Sequence, residues 1–441
     1  MCLNHVMTWI SDRKSIYSDV DVFKTIFTDH WGGFIKAHPQ YNIDQYNDPV
    51  QKMLGCKDVS NGYSEYICMH CGRDRRRIPF SCKSCFCLSC SKQYVDNFVS
   101  QVSAMLHTGV IYRHIVLTLP EQLRSIFFKE RFNKDLLSGF MKCGSECLED
   151  VVSTVKRETL KIGSIVVVQT HGRSGRYNPH LHIIMTSGGI CAERERWYDL
   201  SYLKYEIIHK KWQYHLFTWL KGYFDSSEMN WLVDMLWKKY PNGLVANVSK
   251  GSVPDACRGL AGYLAKYVAS PPIAVRRIVS YDGHSVGYWY KDHKTKSKKF
   301  EKVPVYTFIG RMVQHIMPKG FQRVRYYGLE ATKTYKKWSE VIQKGIRRIG
   351  RIVKGAYQIV KRKKYRERYQ EIGGIDPMKC QYCETEMELM EIWHPKYGVL
   401  YDIFLTLEEM KIEQEKVDRG SGYSVWPPAG GVQLPLFTMP S

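Results

Sequence analysis

The sequence predicts an α+β protein on three observations: short β-branched segments lie between long helical stretches, a knot of cysteines precedes them, and a strongly basic helical region follows. Residues 1 to about 55 place Val22, Phe23, Ile26 and Phe27 at helical spacing. The cysteine-rich segment then runs from about Cys56 to Cys90. "HIVLTLP" (His114 to Pro120) reads as a short buried strand ending at proline. After a helical region around residues 121–160, "SIVVVQT" (Ser164 to Thr170) is a β-branched strand. A turn over Gly172 to Pro179 leads into "HLHIIMT" (His180 to Thr186), and the two runs predict an antiparallel hairpin. Residues 190–245 read as helical and aromatic-rich, and "RGLAGYLAKYVAS" (Arg258 to Ser270) as a helix stopped by Pro271 and Pro272. "RIVSYDGHSVGYWYKD" (Arg277 to Asp292) predicts a hairpin turning at Asp282 and Gly283, and residues 330–370 form a basic helical pattern that includes "KRKKYRER" (Lys361 to Arg368). The tail from about Asp418 has the composition of a disordered segment.

Sixty-five Lys and Arg against 43 Asp and Glu leave a net charge of +22 over 441 residues. An excess of that size is a long-range field for polyanions, of which nucleic acid is the commonest. The N-terminal "MCLNHVMTWISDRK" lacks the apolar core of a signal peptide, and no run reaches the ~18 apolar residues that span a bilayer. The expected setting is therefore the cytoplasm, with no membrane partner. Fourteen cysteines in such a compartment point to metal rather than disulfides, and six of them fall between Cys68 and Cys90.

Cys68 and Cys71 form one C-x-x-C pair, and Cys87 and Cys90 a second pair after 15 intervening residues. Two such turns can present four thiolates to a structural Zn²⁺, which binds sulfur at about 2.3 Å. Cys82 and Cys85 are alternative ligands, with Cys56 and His70 also in surplus. Cys380 and Cys383 make a further C-x-x-C, half a site by themselves, with His394 the nearest helper. Arg75, Arg76 and Arg77 sit between the first two pairs and are candidate DNA phosphate contacts.

His180 and His182 flank Leu181, and on a strand residues two apart share a face, so both imidazoles can reach one ion. Two neutral imidazoles leave coordination positions open for phosphate oxygens, but satisfied structural histidines fit the motif equally well. Tyr263 and Tyr267 are four residues apart, with Lys266 between them, and on a helix all three lie on or near one face. A phenol has a pKa near 10 and attacks poorly unless a cation or base assists it. Attack on a DNA phosphate would give a 5′-phosphotyrosine and a free 3′-hydroxyl, storing the bond energy for rejoining. An aromatic core face is the plainer explanation of the pair.

The order of these features carries more than any one of them: cysteine cluster, "VLTLP", "HLHII", then "YLAKY". That order resembles the HUH endonucleases, and within them the two-tyrosine rolling-circle transposases of insertion sequence ninety-one type, over roughly residues 20–335. The likeness is carried by "SCKSCFCLSC" (Ser81 to Cys90), "VVQTHG" (Val167 to Gly172), "NPHLHIIMTSGG" (Asn178 to Gly189), "YLAKYVAS" (Tyr263 to Ser270), "YKDHK" (Tyr290 to Lys294) and "MPKGFQRVRYYGL" (Met317 to Leu329). It implies an HUH-type nuclease fold, a central antiparallel sheet flanked by helices, with His180 and His182 on a middle strand holding Mg²⁺ or Mn²⁺. It also implies that Tyr263 and Tyr267 are the nucleophiles, Lys266 the lysine between them, and Cys68, Cys71, Cys87 and Cys90 the zinc ligands. Leu88 stands where proline is more usual, Cys85 adds a thiol, and His171 replaces an aromatic residue. Gln169, on the strand expected to pair with that of the histidines, is a candidate third metal ligand or a buried, hydrogen-bonded glutamine.

The expected layout is an N-terminal helical region (1–55), a zinc-binding module (56–95), a nuclease domain (96–275) with a helical insertion at about 190–245, and a β-rich DNA-binding region (276–335). A basic helical C-terminal region with C-x-x-C (336–415) and a disordered tail (416–441) complete it. Lys294, Lys296, Lys319, Arg323 and Arg325 mix with tyrosines in surfaces suited to single strands, where cations follow the backbone and rings stack on bases. The function expected is a transposase that nicks and joins single-stranded DNA at element ends and in target DNA, working with host replication machinery. A plasmid or phage replication initiator or a relaxase shares that chemistry, although no G-x-x-x-x-G-K-[ST] loop is present. A zinc-dependent DNA-binding regulator needs neither histidine. A small-molecule metal hydrolase would not need the basic surface.

Overall fold

The computed structural model describes residues 21–84, 86–248, 272–292, 295, 297–349, 363–373, 376–408 and 411. In chain order the first elements are α1 (Asp21–Ala37), α2 (Asp44–Leu54), β1 (Tyr63–Ile67), β2 (Arg75–Pro79), α3 (Leu88–Met105), β3 (Tyr112–Thr118), α4 (Glu121–Lys129) and α5 (Lys134–Lys156). The middle of the chain forms β4 (Gly163–His171), β5 (Tyr177–Thr186), β6 (Gly188–Cys191), β7 (Arg196–Asp199), α6 (Tyr205–Phe224), α7 (Ser227–Lys239) and β8 (Ala246–Val248). Then come β9 (Ile278–Tyr281), β10 (Ser285–Lys291), β11 (Lys298–Pro304), α8 (Val305–Val313), β12 (Val324–Gly328), α9 (Tyr335–Arg348), α10 (Tyr365–Gly373), β13 (Glu388–His394) and β14 (Gly398–Asp402). Among the described residues no helix is long and apolar enough to cross a membrane.

The chain divides into two compact units, Met1–Cys56 with Ser81–Gly374 and Lys57–Phe80 with Ile375–Ser441. The module expected over residues 56–95 is thus shared between the two.

The larger unit is built on a five-stranded antiparallel sheet in the order β12-β4-β5-β3-β8, with β5 in the middle. β4 and β5 form the expected hairpin, Val167 facing His182 and Gln169 facing His180. Alternation along these strands sorts their side chains onto two faces. Val166, Val168, Leu181, Ile183 and Met185 enter one core with Phe140 and Cys147 of α5 and Trp212 and Leu216 of α6. Ile165, Val167 and Ile184 enter another with Phe98 and Val102 of α3 and Ile342 and Ile346 of α9. Helices on both faces explain why β4 reads as a continuous apolar run rather than an alternating one. α5 comes very close to the first face: a Cβ on Gly144 would lie 2.5 Å from Leu181 Cδ1.

A second core joins α1, α2 and α8 to the sheet β11-β10-β9 through Phe23, Phe27, Tyr46, Val286 and Phe308. Its β9–β10 turn falls at Asp282-Gly283 as expected; Gly283 takes φ +84°, and Asp282 Oδ1 accepts from the Ser285 N–H at 2.6 Å.

Two expectations for helix are corrected. The segment expected to be helical from residue 190 opens with the β6–β7 hairpin, and helix begins only at Tyr205. Gly188, at φ +150°, has no room for a Cβ beside the Tyr198 carbonyl, and that close approach starts the hairpin. The C-terminal region expected to be helical throughout carries β13 and β14 after α10, where "ELMEIWH" and "GVLYD" supply branched and aromatic side chains. In the smaller unit these strands complete an antiparallel sheet in the order β14-β13-β1-β2. Buried Glu65 on β1 accepts from Arg75 at 2.7 Å and Arg77 at 2.8 Å, while Tyr63 stacks on Trp393 of β13.

Just beyond β12, Glu330 is fully buried in the larger unit and accepts from the Tyr112 hydroxyl at 2.5 Å. Burial raises its carboxyl to about 8, so the folded chain keeps a proton that the unfolded chain releases near its ordinary value of 4.5. The stability contributed by this difference is complete below the unfolded value and is lost as pH rises through about 8. Denaturant midpoints of the natural protein should fall between about pH 6 and about pH 9, and more steeply than those of Glu330→Gln. Equal slopes for the two proteins would show that Glu330 is ionised in the fold.

Candidate functional site

The middle strand β5 carries His180 and His182 on the face away from α5, both buried. Their Nε2 atoms lie 3.1 Å apart. His180 Nδ1 donates to the Asn178 carbonyl at 2.7 Å, which leaves its Nε2 with a lone pair. His182 Nδ1 lies 3.0 Å from His114 Nε2 on β3, and His182 Nε2 lies 3.1 Å from Gln169 Oε1 on β4. In the tautomer with His182 donating from Nδ1 to His114, the His182 Nε2 lone pair lies beside both His180 Nε2 and the Gln169 oxygen. Burial lowers the His180 imidazole below its ordinary value and, with the adjoining His180 and His114 rings, holds His182 well below it. Burial also holds His114 down at about 4. Neutral imidazoles with an amide oxygen beside them suit a divalent ion whose other positions stay open.

His114 was not singled out in the sequence. Its only signal there is its place at the head of "HIVLTLP", and its meaning depends on β3 pairing with β5 in a register that puts Val116 opposite His182.

Over this floor opens a cavity of about 790 Å³. Thr118, Asn178 and Asn247 line it near the histidines, and Arg173, Arg176, Arg277 and Lys291 make much of the wall cationic. Asn247 and Pro272, described residues on either side of positions 249–271, both line it. Tyr263, Lys266 and Tyr267 fall within 249–271 and lie outside the described residues, as do Lys294, Lys296 and Cys85. A second cavity of about 600 Å³ shares His171 and Pro272 with the first and is lined by Lys52, Lys83, Lys319 and Arg323. Arg325 donates to Ser138 Oγ at 2.6 Å. Of the candidate DNA contacts in the smaller unit, Arg75 and Arg77 are paired with Glu65, and Arg76 with Asp74 at 2.6 Å. Their charge is committed first to neighbouring carboxylates.

The cysteines group differently from the expected Cys68, Cys71, Cys87 and Cys90. In the larger unit Cys56, Cys82, Cys87 and Cys90 converge, and in the smaller unit Cys68, Cys71, Cys380 and Cys383 do so. Between Cys71 and Cys87 the chain forms β2 (Arg75–Pro79), paired along its length with β1. In the first cluster Cys90 Sγ lies 3.5 Å from Cys56 and 3.6 Å from Cys82, and the Cys82 N–H donates to the Cys56 sulfur at 3.4 Å. A tetrahedron of sulfurs at about 2.3 Å from zinc has edges of about 3.8 Å, close to these separations. His394 belongs to neither cluster.

Residues 163–337 match a family model described as "Putative transposase", and residues 26–119 match one described as "Transposase zinc-binding domain". Over these two stretches the chain resembles the transposases of insertion sequence ninety-one type. The chain is 26% identical over 300 residues to "Transposase for insertion sequence element IS801" of Pseudomonas savastanoi pv. phaseolicola, covering 65% of this chain and 70% of that one. It is also 26% identical over 356 residues to "Putative transposase y4qJ" of Sinorhizobium fredii, covering 77% and 87%. No solved structure matches the chain. The transposase match takes in positions 169, 180, 182, 263, 266 and 267, and the zinc-binding match takes in the whole first cysteine cluster. That match and the sulfur geometry together support structural zinc, and a transposase function implies DNA as the partner.

Replacing Cys56 by serine should lower the zinc content by one ion per chain, measured by elemental mass spectrometry, whereas Cys85→Ser should leave it unchanged. The reverse result would restore Cys85 to the ligand set in place of Cys56.

Proposed function

We propose that this transposase cuts and rejoins single-stranded DNA at the ends of its element, through an HUH-type centre formed by His180, His182 and Gln169 with Tyr263 and Tyr267. The observation that carries the reading is the convergence of two neutral imidazoles and an amide oxygen at the floor of a cation-walled cavity. Such a floor can bind a divalent ion and a phosphodiester together, and the wall supplies counter-charge along the strand. Asn247 and Pro272, the described lining residues that flank the stretch carrying Tyr263 and Tyr267 in the sequence, both border this cavity, and that supports assigning the two phenols to it.

The chemistry assigned to the chain follows. A phenol oxygen of Tyr263 or Tyr267 attacks the phosphorus and gives up its proton, with Lys266 as the adjoining cation. The P–O bond to the 3′ oxygen breaks, that oxygen takes a proton, and the 5′-phosphate remains on tyrosine. Attack by a 3′-hydroxyl on the phosphotyrosine reverses the step and releases the phenol. A second tyrosine allows one centre to hold two DNA ends, the requirement of rolling-circle transfer alongside host replication. His180, His182 and Gln169 would hold Mg²⁺ or Mn²⁺, which would supply Lewis acidity for the reaction. His114 acts as a positioning residue that fixes the His182 tautomer.

The test is incubation with single-stranded oligonucleotides of the element ends and Mn²⁺, followed by denaturing gels. A covalent protein–DNA adduct is expected, and it should be lost in the Tyr263→Phe/Tyr267→Phe double variant; an adduct that persists there would overturn the tyrosine assignment. His114→Gln should raise the Mn²⁺ concentration for half-maximal cleavage about 10- to 100-fold and recover at saturating metal. An unchanged Mn²⁺ requirement would remove His114 from the centre.

A further inference from the structure

Cys380 and Cys383 lie beyond both family matches, which end at residues 119 and 337. They nevertheless meet Cys68 and Cys71, more than three hundred positions away, in the smaller unit. The sulfur separations are 3.4 Å for Cys68–Cys383, 3.6 Å for Cys71–Cys380 and 3.6 Å for Cys68–Cys71. These are again near the edges of a zinc–thiolate tetrahedron, about 3.8 Å.

The backbone repeats itself on the two sides. After Cys68-x-x-Cys71 comes Gly72 at φ +65°, and after Cys380-x-x-Cys383 comes Glu384 at φ +58°. In each turn the N–H after the second cysteine donates to the first cysteine's carbonyl at 2.9 Å: Gly72 to Cys68, and Glu384 to Cys380. In each, the first cysteine's own N–H donates onward at 2.9 Å, from Cys68 to Asp74 and from Cys380 to Thr385. Glutamate in the left-handed region is a costly choice for an ordinary loop. Two matched turns that close four sulfurs on one point have a common purpose in metal binding, the use of paired C-x-x-C turns in structural sites.

Packing leads to the same conclusion. The apolar cluster of this unit has only Cys68, Cys380 and Met387 as buried members among the described residues, so the thiols are themselves most of its core. Side chains tie the turns together around them: the Gln381 N–H donates to buried Asp74 at 2.8 Å, and the Arg73 guanidinium lies 4.5 Å over the Tyr382 ring. A domain this small lacks the apolar area to hold two distant segments in one sheet without a staple.

We propose that Cys68, Cys71, Cys380 and Cys383 bind a second structural zinc ion, and that this ion welds residues 57–80 to residues 376–408 as one folded unit. Binding replaces four thiol protons by one Zn²⁺, giving a tetrathiolate of net charge −2, with Arg73 and Arg76 among the neighbouring cations. The free energy of binding is then folding free energy for the unit, which cannot close until Cys383 has been synthesised. The inference is independent of the nuclease reading, and its test reads metal rather than cleavage.

Full-length protein substituted with cobalt(II) should show thiolate-to-metal charge transfer for two ions per chain. The Cys380→Ser/Cys383→Ser variant should show half that absorbance and one zinc, and limited proteolysis should now cut within residues 376–408. Adding Cys56→Ser should remove the remaining thiolate-bound ion. Cys143→Ser, a buried thiol of α5 outside both clusters, should leave the count at two. A natural protein with a single thiolate-bound ion would overturn the proposal without any variant, and so would a double variant that keeps two.

Discussion

The larger unit depends on the register of β5. Along this strand Leu181, Ile183 and Met185 enter one core, while His180 and His182 turn to the opposite face. A slip by one residue would exchange the two sets, placing imidazoles against α5 and exposing three large apolar side chains in the cavity. Burial of each such side chain stabilises by about 1.5–3 kcal/mol, so the apolar set alone makes the slipped pairing untenable. The close approach of α5 at Gly144 reinforces this, since its helix backbone rests against Leu181, the residue between the histidines. Flanking strands then deliver the remaining groups by position alone: β4 sets Gln169 opposite His180, and β3 sets Val116 opposite His182.

That arrangement also biases protonation. His180 is held by a carbonyl that can only accept, and His182 lies against His114, which burial keeps neutral. Charging any of the three would place a buried cation beside the others, so the fold favours the neutral imidazoles. The cations are on the cavity wall, at Arg173, Arg176, Arg277 and Lys291, where solvent and a polyanion can reach them. Neutral floor and charged wall are the division of labour that a phosphodiester site needs.

What the sequence made legible followed from local periodicity. The β-branched run of β4, the His-x-His of β5 and the Asp-Gly turn before β10 each encode their structure within a few residues, and each lies where expected. What it concealed was long-range pairing. Cys56 reads as a stray thiol until α2 and the start of α3 come together, and Cys68 finds its partners only across most of the chain. His114 depends on a strand register, and the β6–β7 hairpin on a glycine backed against a carbonyl in a segment otherwise rich in helix formers. The tyrosine helix expected at Arg258 to Ser270 lies outside the described residues.

The first cysteine cluster has a place in this logic that its sequence position does not suggest. Cys87 caps α3 and Cys90 lies in its first turn, while Cys56 follows α2, and all three are embedded with Phe23, Phe27 and Phe86 in the second core. Further along α3, Phe98 and Val102 pack against Ile165, Val167 and Ile184 on the face of the sheet that carries the histidines. A zinc ion gathered by these thiols would fix the start of the helix whose other end covers that face. Losing it would free α3 at its root, and the damage would spread along the helix to the packing on the face that carries His182 rather than remain in a separate DNA-binding module. The cluster is built into the support of the candidate active site, so metal content and the geometry of the histidine floor should be physically coupled.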